Sequence, residues 1–449
     1  MTTDLIIIGA GPGGYRAAEY AAAQGLQVTI IEEDLVGGTC LNRGCIPTKT
    51  YVHAATLEEA IARQQEVVAL LRSGVEGILS KPGITLLRGR AALTDANTVR
   101  VVSATAGSET ITDGSETIVT APHIIIATGS ETKWLPIAGR DNPRVVDSTA
   151  LLAMTTLPRK LCVIGAGVIG MEMASVFHRF GAEVTVIEYL KECLPTLDSD
   201  IAKRLRKVME KRGIVFKMKT AVENLDDIDV DVILMATGRK PRTQGLNLEA
   251  AGITLTPQGA IATDDNYRCL CSHPVTAPTP LATTPPLAAP APLAAPSPSL
   301  YAIGDVNGRQ MLAHAAEMQA MRVVNHILGK TDGIRFDIMP AAIFTQPEAA
   351  CVGPTEDQLK SLGTDYVCHK AFWRANGKAQ AMNETEGMLK LFAASDSGRI
   401  LGCHAFGAHA ADLVQEVSVL MCRDTTTEQL RDMVHIHPTL SEILTQALK

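Results

Sequence analysis

One glycine pattern occurs twice in this chain, and it restricts the fold more than any other feature. Gly9-Ala10-Gly11-Pro12-Gly13-Gly14 follows an apolar run that ends at Ile8, opens an alanine-rich stretch, and precedes Val28-Thr29-Ile30-Ile31-Glu32. Strand, glycine turn, helix, strand and terminal acid make the βαβ unit that cradles a dinucleotide. Gly9 suits the tight turn, Gly11 the approach of backbone to a pyrophosphate, and Gly14 close helix–strand packing. The helix N-terminus takes the phosphate charge, and Glu32 stands where ribose hydroxyls bind. Lys160-Leu161-Cys162-Val163-Ile164-Gly165-Ala166-Gly167-Val168-Ile169-Gly170 repeats the opening, and Val184-Thr185-Val186-Ile187-Glu188 repeats the close. The interval from Gly9 to Glu32 equals that from Gly165 to Glu188. Each copy is followed later by an apolar strand ending in Ala-Thr-Gly, at 127–129 and 236–238. Two matched dinucleotide-binding units in one chain are expected.

A chain of 449 residues has room for two to four domains, and a hydrophobic fraction of 46% supplies their cores. The net charge of −7 argues against nucleic acid as a partner. The apolar run at 5–8 reads as a strand rather than a signal peptide. Nothing approaches the roughly 20 apolar residues of a membrane span. A cytoplasmic protein with no membrane partner is expected. Ten cysteines are too few for a disulfide scaffold, and eight of them follow no usable pattern.

The remaining two, Cys40 and Cys45, lie in Gly37-Gly38-Thr39-Cys40-Leu41-Asn42-Arg43-Gly44-Cys45-Ile46-Pro47-Thr48-Lys49. Residues five apart on a regular helix have Cα atoms about 8–9 Å apart, whereas a disulfide needs about 4.4–6.8 Å. A bond between them requires a distorted turn, which Gly44 and Pro47 permit. Pro47 places Cys45 near a helix N-terminus, where N–H groups favour a thiolate, and Lys49 lies one turn beyond on the same face. From the residues alone the pair is also compatible with two buried apolar thiols or half a zinc site, although no second pair follows. The segment resembles the active site of the flavin-linked disulfide oxidoreductases, the family of dihydrolipoamide dehydrogenase, glutathione reductase and mercuric reductase.

That resemblance covers nearly the whole chain. It implies an α/β fold with two Rossmann-like dinucleotide-binding domains, for FAD and NAD, and a C-terminal α+β dimerisation domain. The FAD domain is expected over 1–139 and 263–334, the NAD domain over 140–262 and the interface domain over 335–449. A disulfide that passes electrons to a flavin must lie against it, so the first fingerprint is assigned FAD and the second the mobile nicotinamide nucleotide. Glu188 favours a free ribose 2′-hydroxyl over a 2′-phosphate, hence NAD over NADP, with nearby Lys191 the one contrary charge. The family pattern also implies FAD contacts from Thr128 and Gly129, an NAD contact from Gly238, and pairing of Lys49 beside the flavin with Glu172. Leu300-Tyr301-Ala302-Ile303-Gly304-Asp305 resembles a second FAD motif, a strand ending in an acid that binds the ribityl chain. Met311, Leu312, Ala313 and His314 would open a helix against the flavin pyrimidine edge.

Near the C-terminus, Val434-His435-Ile436-His437-Pro438-Thr439-Leu440-Ser441-Glu442 admits two readings. Thr439 and Glu442 have capping-box spacing. The resemblance instead makes His437 a general acid/base oriented by Glu442, acting across a homodimer on the other chain's Cys40. The activity so implied is oxidation of a dihydrolipoyl dithiol with reduction of NAD⁺, serving lipoyl-bearing subunits of a 2-oxoacid dehydrogenase or glycine cleavage complex. Rival readings are a glutathione-type reductase and a non-catalytic flavin-bearing subunit. The Ala/Pro-rich stretch 271–299 departs from the family and reads as an inserted surface loop or a tether. A helix is expected over 54–71.

Overall fold

The computed structural model describes residues 1–103, 114–272 and 299–449. Residues 273–298 of the Ala/Pro-rich stretch lie outside them. The chain forms two compact units. One comprises Met1–Ile46, Glu66–Glu131 and Arg239–Ile334; the other comprises Pro47–Gln65, Thr132–Gly238 and Arg335–Lys449. Among the described residues no helix is long and apolar enough to cross a membrane.

The first unit is built on a seven-stranded sheet. Ser299–Ala302, His123–Ile126, Leu5–Ile8, Val28–Glu32 and Ile84–Leu93 run parallel in that spatial order. Thr98–Ser103 and Glu116–Thr120 continue it antiparallel. Leu5–Ile8 is buried along its whole length, as befits a parallel strand covered on both faces. Each such Ile or Leu contributes about 1.5–3 kcal/mol on burial. The alanines of helix Pro12–Ala23 keep that helix close: Ala17, Ala18 and Ala21 are wholly buried.

The second unit holds two sheets. Val215–Lys217, Glu183–Ile187, Lys160–Ile164, Val232–Met235 and Val145–Val146 are all parallel. Ala341–Ile343, Ala349–Val352, Ile400–Phe406, Met388–Ala394 and Tyr366–Phe372 are antiparallel, under helix Ala410–Cys422. The fold is thus α/β, with two Rossmann-like parallel regions and a C-terminal antiparallel layer.

A buried ionic cluster ties the C-terminal layer to helix Ser199–Lys211. Lys390, 1% exposed, donates to Asp198 at 2.7 Å and Glu356 at 2.6 Å. Asp198 caps that helix, and its own N–H donates to His404 Nδ1 at 3.0 Å. His404 Nε2 faces the Gly353 and Pro354 carbonyls, which makes the ring a neutral imidazole. Burial pushes its pKa down to about 4.

Two local expectations differ from the structure. The helix expected over 54–71 runs instead from Leu57 to Leu79. Gly74 and Gly77 do not stop it, because Val75 and Leu79, one turn apart, are buried. Asp305 does not end a strand: the strand stops at Ala302, Gly304 turns at φ +72°, and Asp305 sits in a 3₁₀ turn, Gly304–Asn307.

Candidate functional site

The two fingerprints match atom for atom where the pattern demands it. Gly9 and Gly165 take φ of +102° and +103°. A Cβ on Gly9 would stand 2.4 Å from the Ala127 oxygen, and one on Gly165 2.5 Å from that of Ala236. Gly14 and Gly170 lie so close to the turn that a Cβ would meet the Gly9 or Gly165 oxygen at about 2 Å. Gly11 and Gly167 are the N-caps of helices Pro12–Ala23 and Val168–Arg179, and neither helix has a side-chain cap. Nothing lies within 4 Å of a Cβ on Gly167, and one on Gly11 would meet only the Gly38 Cα, at 4.0 Å. Uncapped N–H groups at such glycines fit the pyrophosphate of a dinucleotide at both places.

The acids that close the two units behave alike. Glu32 Oε2 accepts from Ala10 N–H at 2.6 Å and Oε1 from Asp34 N–H at 2.9 Å. Glu188 Oε2 accepts from Ala166 N–H at 2.6 Å and Oε1 from Leu190 N–H at 2.7 Å. Each carboxylate is fixed at the lip of its glycine loop and keeps lone pairs for a ribose. Burial pushes the Glu32 carboxyl up, against the pull of the two N–H groups.

Asp305 belongs to a chain of contacts that sequence reasoning missed. Ser130 Oγ donates to Asp305 Oδ2 at 2.5 Å, and Arg239 reaches Ser130 Oγ and the Ser130 carbonyl at 2.7 Å each. The signal was present: Ser130 and Arg239 each stand immediately after an Ala-Thr-Gly. Thr128 Oγ1 donates to the Arg242 carbonyl at 2.7 Å, Gly129 turns at φ +73°, and Gly238 turns at +104°. Met311 is partly exposed and Leu312 is the N-cap of helix Ala313–Ile327, which starts at Ala313 and His314 without a side-chain cap.

The chain breaks between the two cysteines. Cys40 lies within helix Gly38–Arg43, and Cys45 is the first residue of helix Cys45–His53. Gly44 joins them at φ −136°, ψ −107°, where a Cβ would press on the Thr39 oxygen at 3.1 Å. The interruption falls where a bond between these positions needs it. Cys45 is exposed and Cys40 half-buried.

In the second unit, Lys49 Nζ donates to both oxygens of Glu172 at 3.2 Å and lies 4.4 Å from the Phe344 ring centroid. Glu172 also accepts from Phe344 N–H at 2.8 Å, so this buried carboxylate is fully engaged. At the C-terminus His437 Nδ1 lies 2.9 Å from Glu442 Oε1. Glu442 Oε2 accepts from Thr439 N–H at 2.9 Å. The Thr439 hydroxyl donates to the Ile436 carbonyl instead of completing a capping box. His437 and the Thr439 N–H hold the Glu442 carboxyl below the usual carboxylate range. The His437 side chain is 80% exposed, which leaves Nε2 facing outward. Among the described residues no group of three or more His, Cys, Asp or Glu side chains is arranged to hold a metal ion.

Comparison with known proteins agrees with this geometry. Residues 3–274 match the family described as pyridine nucleotide-disulphide oxidoreductase, and residues 339–448 match the dimerisation domain of the same family. The chain is 36% identical to dihydrolipoyl dehydrogenase 3 of Pseudomonas putida, over 99% of this chain and 97% of that protein. It is 34% identical to the mitochondrial dihydrolipoyl dehydrogenase of Pisum sativum (99% and 90%) and to leghemoglobin reductase of Glycine max (99% and 86%). Among solved structures, the HOCl-induced flavoprotein disulfide reductase RclA of Escherichia coli superimposes with a TM-score of 0.85 at 30% identity, over 99% of this chain and 98% of that one. Two dinucleotide cradles, a cysteine pair across a helix break and full-length similarity converge: the chain belongs to the pyridine nucleotide-disulphide oxidoreductase family.

Proposed function

We propose that the protein oxidises protein-bound dihydrolipoamide to lipoamide and reduces NAD⁺, as a homodimer. FAD and a nicotinamide nucleotide are the cofactors of the family. When bound, FAD carries the electron pair from the thiols to the nicotinamide as a hydride equivalent. Gly9, Gly11, Gly14, Glu32, Thr128, Gly129, Asp305 and residues 311–314 hold FAD; Gly165, Gly167, Gly170, Glu188 and Gly238 hold NAD.

The chain's own residues handle the thiols. Glu442 fixes the proton of His437 on Nδ1, so Nε2 accepts the proton of the incoming dithiol. The thiolate attacks Cys40 of the partner chain, breaking the Cys40–Cys45 bond and forming a mixed disulfide. The second substrate thiol then displaces Cys40, and lipoamide leaves as a disulfide. Cys45 is left as a thiolate, favoured by the N–H groups of the helix it begins. Lys49, held by Glu172, keeps a positive charge one turn along that helix. Protons and electrons balance: one thiol proton stays on His437, the other ends on Cys40 as it is displaced as a thiol, and the electron pair taken from the substrate resides on the Cys45 thiolate.

The observation that carries this reading is the His437–Glu442 contact, a base with its orienting acid on an exposed segment. The names of the Pisum and Pseudomonas relatives support the lipoyl substrate. Assaying dihydrolipoamide and glutathione side by side, each with NAD⁺ and NADP⁺, tests it. Turnover of dihydrolipoamide with NAD⁺ is expected; a clear preference for glutathione or NADP(H) refutes it.

A further inference from the structure

We propose that His435 is a positioning residue, which pins the segment carrying His437 to the body of its own chain through Glu416. The inference rests on reading His437 as the acid–base group. Residues 433, 434, 436 and 437 are all exposed, Val434 almost completely. Only His435 turns inward, with a side chain 9% exposed. Its Nε2 lies 3.2 Å from Glu416 Oε1 on helix Ala410–Cys422, and its Nδ1 lies 3.2 Å from the Met433 carbonyl.

Both of those partners only accept hydrogen bonds. The ring serves both when each nitrogen carries a proton, a pair of opposed donors that an amide side chain does not offer. On the far side of His437 a second pin exists. Wholly buried Asn376 donates to the Thr439 carbonyl at 3.1 Å, and Thr439 N–H donates to Glu442. His437 therefore hangs between two fixed points. The downstream point also holds Glu442, and the upstream point depends on one imidazole–carboxylate contact. Loss of the upstream pin leaves Glu442 in place but lets His437 wander from it and from the thiol. Misplacement by about 1 Å costs on the order of 10²-fold in rate, without any loss of core.

The test uses the FAD-loaded dimer. Wild-type protein is first screened for flavin reduction by dihydrolipoamide, glutathione and dithiothreitol, and the fastest thiol is used thereafter. If dihydrolipoamide is inert and another thiol works, the substrate reading falls while the pin is still tested. His435→Ala and Glu416→Ala should each slow thiol-driven flavin reduction roughly tenfold to a hundredfold. NADH oxidation with an artificial one-electron acceptor should stay within about twofold, because it does not use His437. Glu416→Gln keeps an accepting oxygen and should restore most of the rate, and His435→Gln, with one donor direction, only part of it. Unchanged thiol-driven reduction in both alanine variants overturns the proposal. So does equal loss in both half-reactions, which would mark a folding or dimer defect, and so does failure of every thiol to reduce wild-type flavin.

Discussion

Glu442 divides its two oxygens between His437 and the Thr439 backbone: Oε1 lies 2.9 Å from His437 Nδ1, and Oε2 accepts from Thr439 N–H at 2.9 Å. One carboxylate therefore both fixes the turn at Thr439 and orients the His437 ring. Glu442→Gln keeps an acceptor for Thr439 but removes the charge that stabilises a protonated His437. Stability should change little, while the thiol half-reaction slows about tenfold or more. His437→Gln should slow it by about 10²–10⁴-fold. Rapid mixing separates that step from NADH oxidation with an artificial acceptor, which both variants should retain.

The two cysteines should differ in their optical signature. In Cys40→Ser the Cys45 thiol has lost its partner in the proposed disulfide, so a long-wavelength band from a thiolate donating into oxidised flavin should appear without reduction. Cys45→Ser should lack the band under all conditions. The reverse outcome would exchange the roles assigned to the two sulfurs.

Coenzyme choice should follow Glu188. Hydrogen bonds to a charged group are worth about 1.5–3 kcal/mol. Glu188→Ala should therefore weaken NAD⁺ by roughly tenfold to a hundredfold and narrow the gap to NADP⁺. Titrating both nucleotides into the FAD-loaded protein measures this, and an unaltered NAD⁺ affinity would remove Glu188 from the ribose contact.

Acid stability should carry the mark of His404. Its folded-state pKa, near 4, lies below the ordinary value of about 6.5. The contribution is intact above 6.5, because both states are then neutral. As the pH falls from 6.5 towards 4 the unfolded chain takes up a proton that the folded chain refuses, and stability declines by about 3 kcal/mol. Denaturant melts from pH 7 to 4 should show this slope, and His404→Gln should flatten it. An identical slope in the variant would place the titration elsewhere.

What could be read from the sequence was what lies close together along it. Gly9, Gly14 and Glu32 form their turn and lip within one βαβ unit, so spacing alone located them. Glu442 reaches His437 across five residues. Contacts between distant segments left weaker traces. Nothing near Glu416 in the sequence announces His435, and Ser130 meets Asp305 only because the strands that precede them, His123–Ile126 and Ser299–Ala302, lie side by side. Lys390 reads as an ordinary polar residue in a strand; only the arrival of Asp198 and Glu356 from elsewhere makes it a buried cation. The end of the long helix at Leu79 was hidden by glycines that normally argue for a break, and whose cost the buried Val75 and Leu79 offset.

The two glycine lips share their bonds but not their surroundings. Beyond Glu32 the chain runs inward, through half-buried Glu33 to a fully buried Val36. Beyond Glu188 the chain exposes Tyr189 and Leu190 before it turns inward at the buried Cys193 and Leu194. If the first lip holds a resident nucleotide and the second a mobile one, as proposed, duplication supplied one grip twice, and the residues just beyond each acid make the difference between them.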